Sequence, residues 1–279
     1  MNKYIQELEA RNNQQKGEYI KSFFQQRNIP FSVQQFKTLL ARGQNIIVDY
    51  PFNKSYGGKR TLLTAHYNAW FRTPGANDNA SGVSVLLGFL ERLLQRPKNA
   101  QLRFIFFDLE DGWAVRGGSK VYVKEFGIAD LEKVYNLEGV GMGRMLLFWP
   151  STKTGRLKPV SQIAENLGFS VIHLPLSRIP LISFPVERGF VSDHHSFIEA
   201  GFEQAVSLTT FPKEDTPFLE PLFRGKAKLR FAFELLRYNL LGRGKVPKIM
   251  KHYHNRDDRS EFIEEQNLQD ILELIWHST

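Results

Sequence analysis

Four short runs rich in β-forming residues stand between residues 45 and 141: NIIVDY (45–50), TLLTAHY (61–67), LRFIFFDLE (102–110) and VYNLEGVG (134–141). The second and third are separated by SGVSVLLGFLERLLQR, in which Val83, Leu86, Leu87, Leu90 and Leu94 recur at helical spacing behind Ser81, a suitable N-cap. A strand, an amphipathic helix and another strand make a crossover unit, and parallel strands joined in this way bury both faces of their sheet under helices. Further strand-like runs (MLLFW and AVSLTTF) and helical patterns (160–168, 227–242 and 268–277) continue the alternation. The predicted fold is therefore α/β, a three-layer α/β/α arrangement around a mostly parallel, mixed central sheet. The first 40 residues read as a helix followed by irregular structure, with Ile5, Leu8, Tyr19, Ile20, Phe23 and Phe24 as the buried positions. No linker-like stretch divides the chain, so one domain is expected over 1–279, with 1–44 as a helical lead-in.

In open sheets of this kind ligands collect beyond the carboxyl ends of the strands, where several loops converge. Three consecutive runs end in side chains able to hold a metal or move a proton. His66 closes TLLTAHY, Glu110 and Asp111 close LRFIFFDLE, and Glu138 lies in the last part of VYNLEG. Adjacent acids at a strand end point in different directions, so Glu110 and Asp111 suit two separate tasks, ligation and proton transfer. Glu138 interrupts an apolar, glycine-rich stretch, where a buried carboxylate needs a cationic partner. Asp78 lies in the turn-rich loop just before the helix. Read alone it is a carboxylate stabilising a helix end, although its place between two asparagines also suits an ion. VSDHHSF (191–197) sets Asp193 beside His194 and His195, where a carboxylate is placed to orient a ligating imidazole.

The chain has no Cys, so any metal must be held by His and carboxylates. G-x-S-x-G, H-E-x-x-H and G-x-x-x-x-G-K-[ST] are all missing, and Gly139, Gly141 and Gly143 make no dinucleotide loop because position 144 is Arg. The net charge of +8 is concentrated in 224–230 and 242–256, which match no nucleic-acid module and read as solvated faces, so no nucleic-acid partner is expected. His252 and His254, in the polar stretch KHYHNRDDRS, read as solvated too. Trp70, Phe71, Trp113, Arg144 and Trp149 flank the motifs and are candidates to line the pocket, although aromatic residues near strands are more often core. The N-terminal sequence is polar and no stretch reaches membrane-spanning length, which predicts a cytoplasmic protein without a membrane partner.

Taken in order, TAHYN, PGANDNASGV, FFDLEDG with GGS behind it, NLEGVG and SDHHSF resemble the co-catalytic zinc aminopeptidases of peptidase clan MH. That family also holds glutamate carboxypeptidases and glutaminyl cyclases, and the likeness runs from about residue 45 to about 200. The resemblance implies a zinc-exopeptidase-like fold and a metal-dependent peptidase, an aminopeptidase with two zinc ions and a peptide or amino-acyl substrate. It implies that His66 binds one metal, that Asp78 bridges both, that Asp111, Glu138 and His194 complete the two sites, and that Glu110 is the general base. Two positions depart from the family pattern. Asp111 stands where Glu is usual, one methylene shorter. Asn68 stands where the pattern H-x-D has a carboxylate supporting the first imidazole. An amide oxygen accepts the same hydrogen bond without the charge, which predicts weaker metal binding at His66. Two rival readings accompany the peptidase: a single-zinc glutaminyl cyclase, and a catalytically silent binding domain on the same fold.

Overall fold

The computed structural model describes residues 1–39, 41–52, 57–111, 116–151, 157–175, 192–217 and 247–279. The helical pattern at 227–242, the basic stretch 224–230 and Trp113 lie outside the described residues. Each remaining apolar run forms a strand: β2 (Arg42–Tyr50), β3 (Arg60–His66), β4 (Leu102–Phe107), β5 (Leu131–Leu137), β6 (Met145–Ser151) and β8 (Ala205–Phe211). Two more, β1 (Ser32–Lys37) and β7 (Ser170–Pro175), lie at the ends of one eight-stranded sheet of order β1-β2-β4-β3-β5-β8-β6-β7. β4, β3, β5 and β8 are mutually parallel. β2 is antiparallel to both β1 and β4, and β6 is antiparallel to β8 but parallel to β7.

The segment read as irregular is where expectation and fold part. SVQQFK has too little apolar character to announce a strand, yet it pairs along its length with β2, from Ser32↔Ile47 to Lys37↔Arg42. Hairpin pairing with the strongly apolar β2 that follows overrides weak local preference. Upstream of it are two helices rather than one, α1 (Asn2–Glu9) and α2 (Asn13–Gln26), the second started by a capping box between Asn12 and Gln15. Ile5, Leu8, Ile20, Phe23 and Phe24 are buried as expected, and Tyr19 is partly buried.

Helices cover both faces. Along β4, Phe104 and Phe106 face one core with α1, α2, α3 (Gly82–Gln95) and the C-terminal α8 (Glu265–Ser278). Ile105 and Phe107 face the other, against Tyr122 of α4 (Gly117–Phe126) and Phe197 of α6 (His194–Glu199). This alternation is the two-residue period of a strand buried on both sides. α5 (Lys158–Asn166) and α7 (Lys248–His252) complete the described helices. α3 begins without the expected cap. Asp78 and Asn79 ahead of it have non-helical backbone, Ser81 is itself helical, and its hydroxyl donates to the Asn77 carbonyl instead of capping. Among the described residues no helix is long and apolar enough to cross a membrane.

Candidate metal centre

Because β4, β3 and β5 are adjacent and parallel, their carboxyl ends share one edge of the sheet, and the residues that end them meet there. His66 is wholly buried. Its Nδ1 donates to the Asn68 carbonyl at 2.9 Å, which leaves Nε2 facing Glu138 Oε1 at 3.1 Å and Asp78 Oδ1 at 3.2 Å. Glu110 Oε2 stands further off, 3.9 Å from the same nitrogen. On the other side of Asp78 its second oxygen lies 3.2 Å from Nε2 of His254, which is also 2.8 Å from Asp111 Oδ1. Asp78 thus joins two of the three groups of ligand-competent atoms among the described residues, His66–Asp78–Glu138 and Asp78–Asp111–His254, and the third is His66–Glu110–Asp111.

The closely packed carboxylates and imidazoles shift one another strongly. Burial alone would discharge His66, but Glu138 and Asp78 outweigh it and hold the imidazole well above its ordinary value. His254 is raised to about 10 against the pull of burial by Asp111 and Asp78. Burial pushes Asp78 up, yet the two imidazoles hold it well below the usual carboxylate range. Glu110 goes the other way, raised well above its ordinary value by burial and by the neighbouring Asp111, Glu138 and Asp193. Both oxygens of Asp78 and Oδ2 of Asp111 are buried without a hydrogen-bond partner. These unpartnered carboxylate oxygens, converging with the two imidazole Nε2 atoms, make a donor set that fits a hard or borderline cation such as zinc.

The loops are held by their own side chains. Asn77 Oδ1 accepts from Gly141 N at 2.9 Å, Asn79 Nδ2 donates to the Leu137 carbonyl at 2.7 Å, and Ser81 Oγ accepts from Val140 N at 3.0 Å. The asparagines around Asp78 therefore stitch its turn to the loop after β5, and only the aspartate between them faces the imidazoles. This also explains a glycine at 141, where a Cβ would stand 3.0 Å from Asn77 Oδ1 and 2.8 Å from Ile263 Cδ1. Asp258 accepts the backbone N–H of Asn77 at 2.7 Å and of Asp78 at 3.0 Å, fixing the turn from the opposite side. Glu138 is steered by Ser192, whose hydroxyl donates to Oε2 at 2.6 Å. Asn68 supports His66 through its backbone carbonyl and not through its amide oxygen. Its side chain spans the tip of the β4 loop, accepting from Glu110 N at 3.0 Å and donating to the Asp111 carbonyl at 3.1 Å.

Five of the expected residues, His66, Asp78, Glu110, Asp111 and Glu138, come together. His194 does not join either group among the described residues. It opens α6, packs edge-on against Trp149 with ring centroids 4.9 Å apart, and is held well below its ordinary value by burial, with His195 and Arg116 adding to the effect. Neither of its nitrogens has a hydrogen bond, so Asp193 does not orient it. Asp193 is buried beside it and raised to about 7 by burial, with Glu138 adding to the rise. The second imidazole of the centre is His254, not the solvated side chain expected, and Trp70 stacks on its ring with centroids 4.9 Å apart. The four-residue step from His254 to Asp258 in HNRDD was the available signal: one residue joins Asp78 and Asp111, and the other holds their loop. His252 stays outside the described groups, with its Nδ1 at the Asp257 carbonyl.

A mixed, mostly parallel α/β sheet with two such groups at its carboxyl edge, sharing one aspartate, defines the class of zinc-metallopeptidase folds. The chain belongs to peptidase family M28, whose model matches residues 45–279. It is 28% identical over 218 residues to the aminopeptidase YwaD of Bacillus subtilis, a match that takes in 68% of this chain and 43% of the relative. This chain therefore spans less than half the length of that relative. Among solved structures it resembles a Zn-dependent exopeptidase from Parabacteroides distasonis (16% identity, 99% of this chain and 95% of the other, TM-score 0.67). It also resembles a glutaminyl cyclase from Bacteroides thetaiotaomicron (15% identity, 98% and 94%, TM-score 0.68).

Proposed function

We propose that the protein is a two-zinc peptidase that removes N-terminal residues from peptide or amino-acyl substrates. His66 and Glu138 would hold one ion, His254 and Asp111 the other, and Asp78 would be shared. The observation that carries this reading is the pair of 3.2 Å approaches from the two Asp78 oxygens to two different imidazoles. Bound there, the metals would supply a Lewis acid for the substrate carbonyl and lower the pKa of a water. Everything else falls to the chain. Glu110, close to His66 but outside both Asp78-centred groups, takes the proton from the attacking water and returns it to the leaving amine. Burial raises its affinity for a proton, which favours its role as the base. Ser192 and Asn136 donate to Glu138 Oε2, Asp258 orients Asp78, and Trp70 screens one face of His254 from water.

The likeness to glutaminyl cyclases supports a second reading in which one ion, on Asp78, Asp111 and His254, serves cyclisation. Elemental analysis with a panel of amino-acyl and N-terminal glutaminyl substrates separates the two. Two zinc ions with release of an N-terminal residue support the peptidase. One ion with cyclisation and no hydrolysis supports the alternative, and no metal with no turnover returns the chain to a silent binding role.

A further inference from the structure

α1 and α2 precede the residues matched by the family model, yet their side chains reach the loops that carry both ligand groups. In the first turn of α2, Asn13 clasps Ala69 on both sides of its backbone, accepting from its N–H at 2.9 Å and donating to its carbonyl at 3.0 Å. One turn on, Lys16 is only 1% exposed, and its ammonium donates to the Pro74 carbonyl at 2.9 Å. The same Nζ would stand 3.1 Å from a Cβ at Gly75, so it is packed against the turn that leads into Asp78. At the end of α1, Glu9 accepts from both the N–H and the hydroxyl of Ser260 at 2.7 Å, two residues beyond Asp258. A buried ammonium is retained only where negative charge offsets its desolvation. Burial lowers the Lys16 ammonium to about 8, and the negative charges of Asp258, Asp78, Asp111 and Glu9 oppose that shift. Asp258 in turn receives the N–H groups of Asn77 and Asp78.

We propose that Lys16 is a positioning residue for the metal centre: by holding the Pro74 carbonyl it fixes the 74–78 segment so that Asp78 offers one oxygen to each ligand group, while Asn13 fixes the segment after His66. This rests on the two-metal reading. A lysine that merely glued α2 to the body would lower thermal stability and leave metal affinity alone. A lysine that acted only through its charge would repel cations, and its removal would tighten zinc binding. Positioning predicts the opposite sign.

The test is zinc affinity of the full chain, measured by competition with a chromophoric chelator, for the wild type, K16M, N13A, D258N and K16M/D258N. The expected result is two ions in the wild type and at least one of them held about tenfold more weakly in K16M, the lower end of losses seen when outer partners of metal ligands are removed. N13A, which changes no charge and sits at an exposed position, should weaken zinc as well. K16M/D258N should be no weaker than D258N, because both act on the same segment. Wild-type affinity in both K16M and N13A, or tighter binding in K16M, overturns the inference. If K16M does not fold, N13A decides alone. A wild type that binds no zinc sinks the two-metal reading and this inference with it, whereas unchanged variants beside a two-zinc wild type sink the inference only.

Discussion

His254 contributes one of three donors to its group, and Asp78, another of the three, is shared with the His66 group. Replacing it with alanine leaves two carboxylates, one of them divided between two ions. Loss of an outer partner of a metal ligand costs about 10- to 100-fold in affinity, so loss of the ligand itself should exceed the upper figure. A hundredfold is about 2.7 kcal/mol at 25 °C. The same substitution removes the ring on which Trp70 stacks, at a further cost to folding of about 1 kcal/mol, too small to unfold the chain. H194A is the control, since His194 packs against Trp149 and joins neither group. Chelator competition and elemental analysis on both variants measure the outcome. H254A should retain one zinc at micromolar protein and H194A two. If H254A kept both ions at native affinity, or H194A lost one, the assignment of the second group would be wrong.

E110Q keeps the shape of the side chain and removes its basicity. Zinc content should be unchanged while turnover falls at least about 100-fold, and a variant of full activity would remove Glu110 from proton transfer. N68D restores the carboxylate of the family pattern, but the Asn68 side chain serves the β4 loop and not His66. It should therefore not strengthen zinc binding, and a tenfold gain by the same competition assay would contradict this account of Asn68. The metal-free protein should lose stability as pH rises. His254, raised to about 10 in the fold against about 6.5 unfolded, contributes fully below about 6.5 and progressively less up to about 10. One proton so held gives a slope of about 1.4 kcal/mol per pH unit. Denaturant unfolding in EDTA at pH 7 and 8 should show the fall, and zinc-loaded protein should not. Equal stability at the two pH values without metal would refute the electrostatic account.

The legible part of the chain is that in which local pattern and position in the sheet coincide. Apolar runs of strand length end in His66, Glu110 and Glu138, and parallel pairing of β4, β3 and β5 carries those ends to one edge, so half of the centre follows from the strands themselves. Asp78 was legible only as a member of a loop, because nothing local separates a helix-end carboxylate from a bridging one. His254 was not legible by local pattern. It lies 143 residues from Asp111, in a polar stretch whose composition reads as solvated, and its burial comes from Trp70 and the carboxylates that surround it. SDHHSF misled for the converse reason. Asp193 beside two histidines has the composition of a ligand and its orienting partner, but the start of α6 turns His194 towards β6. β1 escapes notice because SVQQFK is too polar to announce the hairpin it forms with β2, and the clasp of α2 on Ala69 and Pro74 joins segments 56 and 58 residues apart that no short window of sequence contains.

Anomalous diffraction from zinc-soaked crystals, recorded on both sides of the zinc absorption edge, tests the shared aspartate directly. Two peaks should appear, one coordinated by His66 and Glu138 and the other by Asp111 and His254, with one oxygen of Asp78 on each. A single peak, or a peak coordinated by His194, would contradict it.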